Sequence, residues 1–276
     1  AGYLRNNHAY ELEVGAEDTA PLQGFSARLP FTTAYTPPAG AANMGGVPVT
    51  IGNDPWPTAI QVQADPSTID PTLFVCRNIY RDDITDRPIA QLTSASDTAW
   101  LDATPLSGRT YTYTWRDVAY VDSSHTEQIE STGVTSAASV RLRGVVLSSV
   151  NDPEGKRLCL VSVQERTRKR TQDKARLMTW GSDKPITFRG VGDFISISGT
   201  YRLISTETQL AIDLERELDR LMDGIDTFCY RDERPRRYFM TIDDASITDR
   251  RVLNADLSMT LVEEAHTEGV PSGGGV

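Results

Sequence analysis

The chain has 276 residues, with 39% hydrophobic and 24% charged side chains and a formal net charge of −10 at pH 7. This length predicts two or three domains, and the composition is that of a folded protein, which excludes disorder throughout. The negative charge disfavours wrapping of nucleic acid, since phosphate binding requires a positive surface. No apolar run approaches the roughly 20 residues that cross a bilayer, so membrane insertion is not expected.

Two distant stretches of the chain follow the same pattern. Residues 5–14 (RNNHAYELEV) and 108–115 (GRTYTYTW) each join a polar turn to a segment with large side chains at every second position. This period is typical of a strand with one buried face. Each stretch continues through an acidic turn, at Asp18 or Asp122, into a second strand. Each therefore predicts a hairpin that closes a β-domain.

Only the second stretch is preceded by further predicted strands. Residues 46–51, 59–65 and 72–83 have strand-like sequences, and more strand follows up to residue 102. We therefore predict one complete β-sandwich at residues 37–139. Residues 1–36 are expected to be the C-terminal part of a preceding sandwich, so the chain is expected to begin inside a domain.

These two stretches resemble fibronectin type III domains. The resemblance lies in Leu4-x-x-Asn7-x-x-Tyr10 and in Gly108-x-x-Tyr111-x-Tyr-x-Trp. It implies that they supply the last two strands of each domain, with the tyrosine hydroxyl tied back to the upstream turn.

Residues 140–266 predict a second kind of β-rich domain that carries one amphipathic helix at residues 206–224. Its segments PITFRG and FISISGTYRLI flank Gly190-Val-Gly192, which we interpret as a hairpin turn. Thr206 and Gln209 form a capping box, and Gly224 is placed to end the helix. The apolar stripe of the helix comprises Leu210, Leu214, Leu218, Leu221, Met222 and Ile225.

The joints of the chain are also predicted from composition. Few hydrophobic contacts are expected across the Ser/Ala-rich joint between residues 139 and 140. Residues 267–276 (TEGVPSGGGV) predict a flexible tail or linker. The cysteines Cys76, Cys159 and Cys229 lie far apart in strand-like runs, which favours buried reduced thiols over disulfides.

The end of the second domain, CYRDERPRRYFMTIDDASITD and ADLSMTLVEE, resembles tail-tip minor tail proteins of siphovirus-like phages, especially those of actinobacteria. The resemblance covers residues 140–268 in pattern and 228–262 in specific residues. In that family a domain similar to the tail-tube fold follows fibronectin-type modules and builds rings through its strand edges. The implied fold class is mainly β: fibronectin type III-like sandwiches followed by a tail-tube-like domain with one amphipathic helix.

Two groups of basic residues are candidate contact sites. The first, in residues 166–176, comprises Arg166, Arg168, Lys169, Arg170, Lys174 and Arg176, with Asp173 as its single acid. A solvated hairpin loop or a contact with an acidic subunit is favoured, and a patch facing DNA or a tape-measure filament is the alternative. The second group, predicted to lie at a subunit contact, comprises Arg231, Arg234, Arg236 and Arg237.

No catalytic, cofactor-binding or metal-binding pattern is recognisable, so the chain is not expected to be an enzyme. His8, His125 and His266 are isolated, and Asp122–His125 has no accompanying nucleophile elbow. The acidic pairs Asp82–Asp83 and Asp243–Asp244 are expected to point to opposite sides of a strand or to cap a turn, because neighbouring strand residues alternate between faces.

These features predict a structural virion protein of a phage tail, made in the host cytoplasm and contacting other tail subunits. The alternative is a carbohydrate- or cell-surface-binding module of a virion or secreted protein, which would use exposed aromatics such as Trp56, Trp100 and Tyr120. A third hypothesis is an accessory region of a larger hydrolase.

Overall fold

The computed structural model describes residues 9–12, 29–32, 38, 40–121, 123, 125, 127–177, 186–204, 211–223, 226–251 and 254–269. As predicted, the fold is mainly β, with a single helix in the described part. The strands are β1 (Ala9–Leu12), β2 (Leu29–Thr32), β3 (Met44–Val49), β4 (Ala59–Ala64), β5 (Phe74–Arg81), β6 (Ala90–Leu92), β7 (Ala99–Asp102), β8 (Thr110–Tyr120), β9 (Gln128–Glu130), β10 (Val134–Ser139), β11 (Val145–Ser149), β12 (Arg157–Leu160), β13 (Ser162–Leu177), β14 (Ile186–Ile204), β15 (Phe228–Arg231), β16 (Arg237–Arg251) and β17 (Asn254–Glu263), and the helix is α1 (Ala211–Met222). No helix in these ranges has the length and apolar character needed to cross a membrane.

The first two strands form a sheet of their own. β1 and β2 pair antiparallel, with Tyr10 opposite Phe31. The two paired strands predicted within residues 1–36 are therefore present. The turn predicted at Asp18 lies outside the described residues.

The segment from β3 to β10 folds into two antiparallel sheets. One has the strand order β3-β4-β7, and the other has the order β10-β8-β5-β6 with β9 beside β8. The alternating side chains Tyr111, Tyr113 and Trp115 of β8 are each at most 1% exposed and lie in the shared core. The backbone N–H of Leu106 donates to the Tyr111 hydroxyl at 3.1 Å. This bond ties the hydroxyl to the segment that precedes β8.

The remaining strands form one curled seven-stranded sheet in the order β12-β11-β15-β16-β17-β14-β13. Its edge strands β12 and β13 are separated in the chain by Val161 alone, so the sheet must curl to bring the end of β12 next to the start of β13, although the two strands do not pair. Helix α1 packs against the inner face, where Leu214, Leu218 and Leu221 join the core. Met222, which we assigned to the apolar stripe, is 49% exposed. The capping residues Thr206 and Gln209, together with Leu210, Gly224 and Ile225, lie outside the described residues.

The hairpin turn predicted at Gly190–Gly192 is wrong. These residues lie inside β14, which runs without a break past them and pairs with β13 on both sides. The register passes from Gln172 opposite Asp193 to Lys174 opposite Arg189, which leaves residues 190–192 as an irregularity in the ladder. Glycine in a strand interior often marks such a bulge, because it tolerates the local change in backbone direction.

The joint between residues 139 and 140 is not a weak one. Val140 and Leu142 are each 2% exposed, and with Val146 and Cys159 they belong to the same core cluster as the sandwich. Every residue of β11 and β15 is buried. These strands lose the alternation of a one-faced strand because one face packs on the inner core of the curled sheet and the other on the sandwich. The free cysteines Cys76, Cys159 and Cys229 are all buried, as predicted.

Candidate functional site

The basic run of residues 166–176 is a strand, not a loop. It occupies most of β13, the last strand in the order of the curled sheet, and pairs with β14 on both sides of the irregularity at Asp173. Arg168 lies opposite Ile197, a residue of the inner core, so Arg166 and Arg168 occupy the inner face near the open edge of the sheet. Lys169 is exposed. Lys174 and Arg176 pair through their backbones with Arg189 and Thr187, outside the part whose side chains are described.

The second group of arginines divides into two parts. Arg234 is exposed and Arg236 is half-buried in the turn between β15 and β16. Neither side chain makes an ion pair within the described part of the chain. Arg231 and Arg237 point into the molecule instead, and they are described separately below.

The structure brings members of each group together in one cleft. The cleft has a volume of about 370 Å3 and lies between β13 and the β15–β16 turn. Its charged lining residues are Glu165, Arg166, Arg168, Asp232, Glu233, Arg234 and Arg236. Two sets of arginines from different parts of the sequence therefore share one site, which we call the arginine cleft.

Arg166 is held rigidly in the arginine cleft. Its guanidinium donates to Asp232 Oδ2 at 2.9 Å and to the Tyr230 hydroxyl at 3.2 Å, and it also pairs with Glu233. Arg168 donates to the Tyr238 hydroxyl at 2.7 Å. These contacts join edge strand β13 to β15 and β16 across the curled sheet, since the strands are not neighbours in the sheet.

The floor of the arginine cleft is polar and buried. Burial raises the pKa of the Asp232 carboxyl, against the opposing effect of Arg166. Burial likewise raises the pKa of Tyr230 to about 12. The Tyr201 hydroxyl below them is fully buried, and no described residue hydrogen-bonds to it. A buried hydroxyl without a partner is uncommon and needs an explanation.

Arg231 was predicted at a subunit contact, and this prediction is wrong. Its side chain is fully buried, and Nη1 donates to the backbone oxygens of Thr58 at 2.9 Å and Pro105 at 3.2 Å. Both acceptors belong to the sandwich, whereas Arg231 ends β15 of the curled sheet. Arg231 therefore fastens the two units together. A second cross-contact is the ion pair of Arg157 with Asp54 at 3.0 Å.

Arg237 belongs to a further internal contact, which includes the segment after β17. Arg237 Nη2 lies 2.9 Å from Glu268 Oε2, and Arg81 Nη2 lies 3.0 Å from Glu268 Oε1. Arg81 is fully buried and also pairs with Asp102 at 2.7 Å and with Asp83 at 2.6 Å. Glu268 thus joins the sandwich to the curled sheet. The flexible tail predicted to begin at residue 267 is not correct for residues 267–269, which are placed against the sandwich.

Asp82 and Asp83 lie in the turn that the hydrogen bond from Ile84 N–H to the Arg81 oxygen closes, which agrees with the prediction, whereas the alternation predicted for Asp243 and Asp244 is lost. Asp83 takes part in the Glu268 contact, while Asp82 faces Arg109 at 3.9 Å. Asp243 and Asp244 are both exposed. The register shifts between Ile242 and Asp244, so a bulge removes the expected alternation there.

The remaining polar candidates are scattered. His125 contacts Tyr120 and the backbone oxygen of Thr72, and His266 stacks on Phe239. His8 and Asp122 lie outside the described residues. Within the ranges that the structure describes, no three His, Cys, Asp or Glu residues are grouped as metal ligands.

The aromatics proposed for carbohydrate binding are largely used in packing. Trp56 is 6% exposed and belongs to the core cluster of the sandwich, and Trp100 packs against that cluster. Tyr120 is half-buried beside His125, with ring centroids 4.5 Å apart. Trp56 is therefore not available at the surface.

Sequence reasoning missed several residues of these sites. Tyr201, Tyr230, Arg81 and Glu268 carried no recognisable motif. The alternation of FISISGTYRLI places Tyr201 on the face of Ile195 and Ile197, which was the one available signal for its burial. Nothing in the sequence pairs Glu268 with Arg81, because 187 positions separate them.

Comparison with known proteins gives limited matches. No protein-family model matches the chain, and no curated protein matches it either. A chain from the virion of a native gene transfer agent particle is 11% identical with a TM-score of 0.30, covering 45% of this chain and 92% of that one. A chain from the tail of an empty gene transfer agent particle, with C6 symmetry, is 12% identical with the same TM-score and coverage. The likeness extends over less than half of this chain.

Proposed function

We propose that this chain is a structural virion protein of a phage tail, a minor tail protein of the tail tip. It assembles with copies of itself and with neighbouring tail proteins through residues 140–266, and it projects fibronectin type III-like modules. The proposal joins the resemblance in residues 228–262 to the geometry of the curled sheet.

The observation that carries the proposal is the open edge of β13. This strand has 16 residues, and β14 is its one partner among the described strands. Residues 164, 165, 167–170 and 172 along it are exposed. A long edge strand presents unpaired backbone N–H and C=O groups and is a template for pairing with another chain. A ring of subunits would cover this edge.

The far half of the β13–β14 hairpin strengthens this argument. β14 pairs with β17 only from Ser196 to Ile204, whereas Ile186–Ile195 has β13 as its one described partner. A two-stranded ribbon is marginally stable by itself, so a neighbouring subunit is its natural support. The basic side chains of β13 also keep the edge from unselective pairing before assembly, since charge on an edge strand opposes aggregation.

The sandwich supports the fibronectin-like part of the proposal. A three-stranded sheet packs against a sheet of four consecutive neighbours, and Tyr111 makes the expected contact with the upstream turn. Arg231, Arg157 and Glu268 fix this module against the curled sheet. A projecting module held in this way would keep a constant orientation in the tail.

The other partners remain secondary in this proposal. Contact with DNA or a tape-measure filament is disfavoured because Arg166 and Arg170 already pair with carboxylates, Arg170 with Asp193 at 2.6 Å. We also propose that the chain is not an enzyme, on the basis of its sequence. Loss of peptidoglycan or glycan turnover on changing a single acidic residue would contradict this.

The proposed function is tested by locating the protein in phage-like particles and by producing particles without it. Antibodies against the purified chain are expected to label one end of phage-like tails by immunogold electron microscopy. Particles produced without the gene are expected to have absent or defective tails. Labelling confined to the host cell envelope, with intact particles lacking the protein, would contradict the proposal.

The second candidate, a surface-binding module, is favoured by one observation. A cavity of about 460 Å3 on the sandwich is lined by Tyr80, Asp82, Asp86, Thr112 and Arg116, among others. Aromatic, carboxylate and arginine groups together are suited to a sugar ring and its hydroxyls. Pelleting of the chain with isolated cell-wall glycans, lost on Tyr80→Ala, would support this candidate.

A further inference from the structure

We propose that the arginine cleft receives the Asp243–Asp244 pair of a second copy of this chain. The inference rests on the proposed function, because it names the contact through which residues 140–266 assemble. The first observation is which arginines of the cleft already have ion-pair partners. Asp232 and Glu233 hold Arg166, whereas Arg234 and Arg236 line the wall without an ion pair in the described part of the chain. Two cations are therefore available to a ligand.

The lining of the cleft selects among anions. Glu165, Asp232 and Glu233 lie in the same lining as the arginines, so a continuous phosphate backbone would meet carboxylates as well as cations. The volume of about 370 Å3 is suited to a few side chains and not to a duplex. These features fit one or two carboxylate side chains better than nucleic acid.

The same chain carries a matching pair of carboxylates. Ile242, Ala245 and Ile247 all pack against the inner core, so the bulge leaves Asp243 and Asp244 together on the outer face. Both are exposed, and neither forms an ion pair among the residues described. Two adjacent like charges repel each other, and a pair of arginines would relieve that repulsion.

The positions of the two groups exclude a contact within one chain. Arg166 and Arg168 lie on the inner face of the curled sheet, opposite Gly199 and Ile197. Asp244 lies on the outer face, where it is opposite Thr260 of β17, and Thr260 is in turn opposite Ser198 of β14. A contact between the cleft and the acidic pair must therefore join two copies. Two different patches of the same chain then meet head to tail, the arrangement that generates rings or filaments.

The test is sedimentation velocity of the purified full-length chain at low ionic strength. Arg234→Glu/Arg236→Glu and Asp243→Lys/Asp244→Lys are each expected to weaken self-association about tenfold or more. Mixing these two variants should restore association, because the Asp pair of the first meets the arginines of the second and the Lys pair of the second meets the glutamates of the first. The four substitutions combined in one chain should restore association. The control Arg141→Glu/Arg143→Glu reverses two exposed arginines with the same spacing and should associate as the wild type does.

Three results would overturn the inference. They are a wild type that stays monomeric at every concentration, normal association of the Asp243→Lys/Asp244→Lys variant, and failure of the charge-swapped chain to associate. Circular dichroism verifies that each variant is folded. Any of these results leaves the proposed function open to the separate test of particle labelling, so the two can fail independently.

Discussion

The Glu268 contact is expected to control how firmly the two units hold together, and Glu268→Ala tests it. The substitution removes the ion pairs at 3.0 Å to Arg81 and at 2.9 Å to Arg237. Breaking a buried pair costs about 3–5 kcal/mol when the remaining charge has no other partner. Arg81 keeps Asp83 and Asp102, and Arg237 keeps Asp83. We therefore expect a smaller loss of unfolding free energy, about 2–3 kcal/mol.

Scanning calorimetry measures this loss. For a chain of this size the expected fall in Tm is about 4–10 °C. The Tm of Glu268→Gln should fall less than that of Glu268→Ala, because the amide oxygen can still accept a hydrogen bond from one arginine. The matched control is Glu154→Gln, which changes an exposed side chain and should leave Tm within about 1 °C. A Tm for Glu268→Ala equal to that of the control would refute the reasoning.

Three further predictions concern the cores and the pH dependence. Leu214→Ala on α1 should lower the unfolding free energy by about 2–4 kcal/mol in urea denaturation, whereas Ile212→Ser on the exposed side should have little effect; equal effects would show that the helix packs differently. Tyr111→Phe leaves the Leu106 N–H without its acceptor and should cost about 1–2 kcal/mol by the same method, and no change would mean that the contact adds nothing. Burial by itself would raise the pKa of Asp102, but Arg81 and its hydrogen bonds outweigh burial and hold this pKa below its ordinary value of 3.8. The stabilisation that Asp102 contributes is therefore complete above about pH 4 and is lost as the pH falls through the folded pKa. The variant Asp102→Asn should have a lower unfolding free energy at neutral pH, and that free energy should depend less on acid. A pH dependence equal to that of the wild type would contradict this.

The regular parts of the fold could be predicted because their sequences carry a period. Tyr111, Tyr113 and Trp115 alternate as a strand with one buried face, and they are buried. Leu214, Leu218 and Leu221 recur at helical spacing and form the buried side of α1. In these elements the pattern reflects one core, which the residues themselves define.

The sequence was less informative about residues whose surroundings come from distant parts of the chain. The sequence predicts that Arg231 lies at the surface, since arginine is seldom fully buried. The backbone oxygens that accept its hydrogen bonds belong to Thr58 and Pro105, which are far away in the chain. The many charges of residues 166–176 favour a loop over a strand in the sequence. The strand tolerates them because much of the β13–β14 hairpin is exposed to solvent. The bulge at Asp243 changes the alternation by one residue, and no local signal announces it. These features depend on contacts between distant segments, which a local pattern does not encode.

The central claim is that the open edge of β13 becomes covered when the chain assembles. Hydrogen exchange of residues 162–172, compared between the free chain and purified particles or reconstituted assemblies, tests it most directly. In the free chain the amides that point away from β14 should exchange rapidly, because they have no strand partner. The account predicts that these amides become strongly protected on assembly. Equal, rapid exchange in both states would show that the edge stays open and that the chain assembles through another surface.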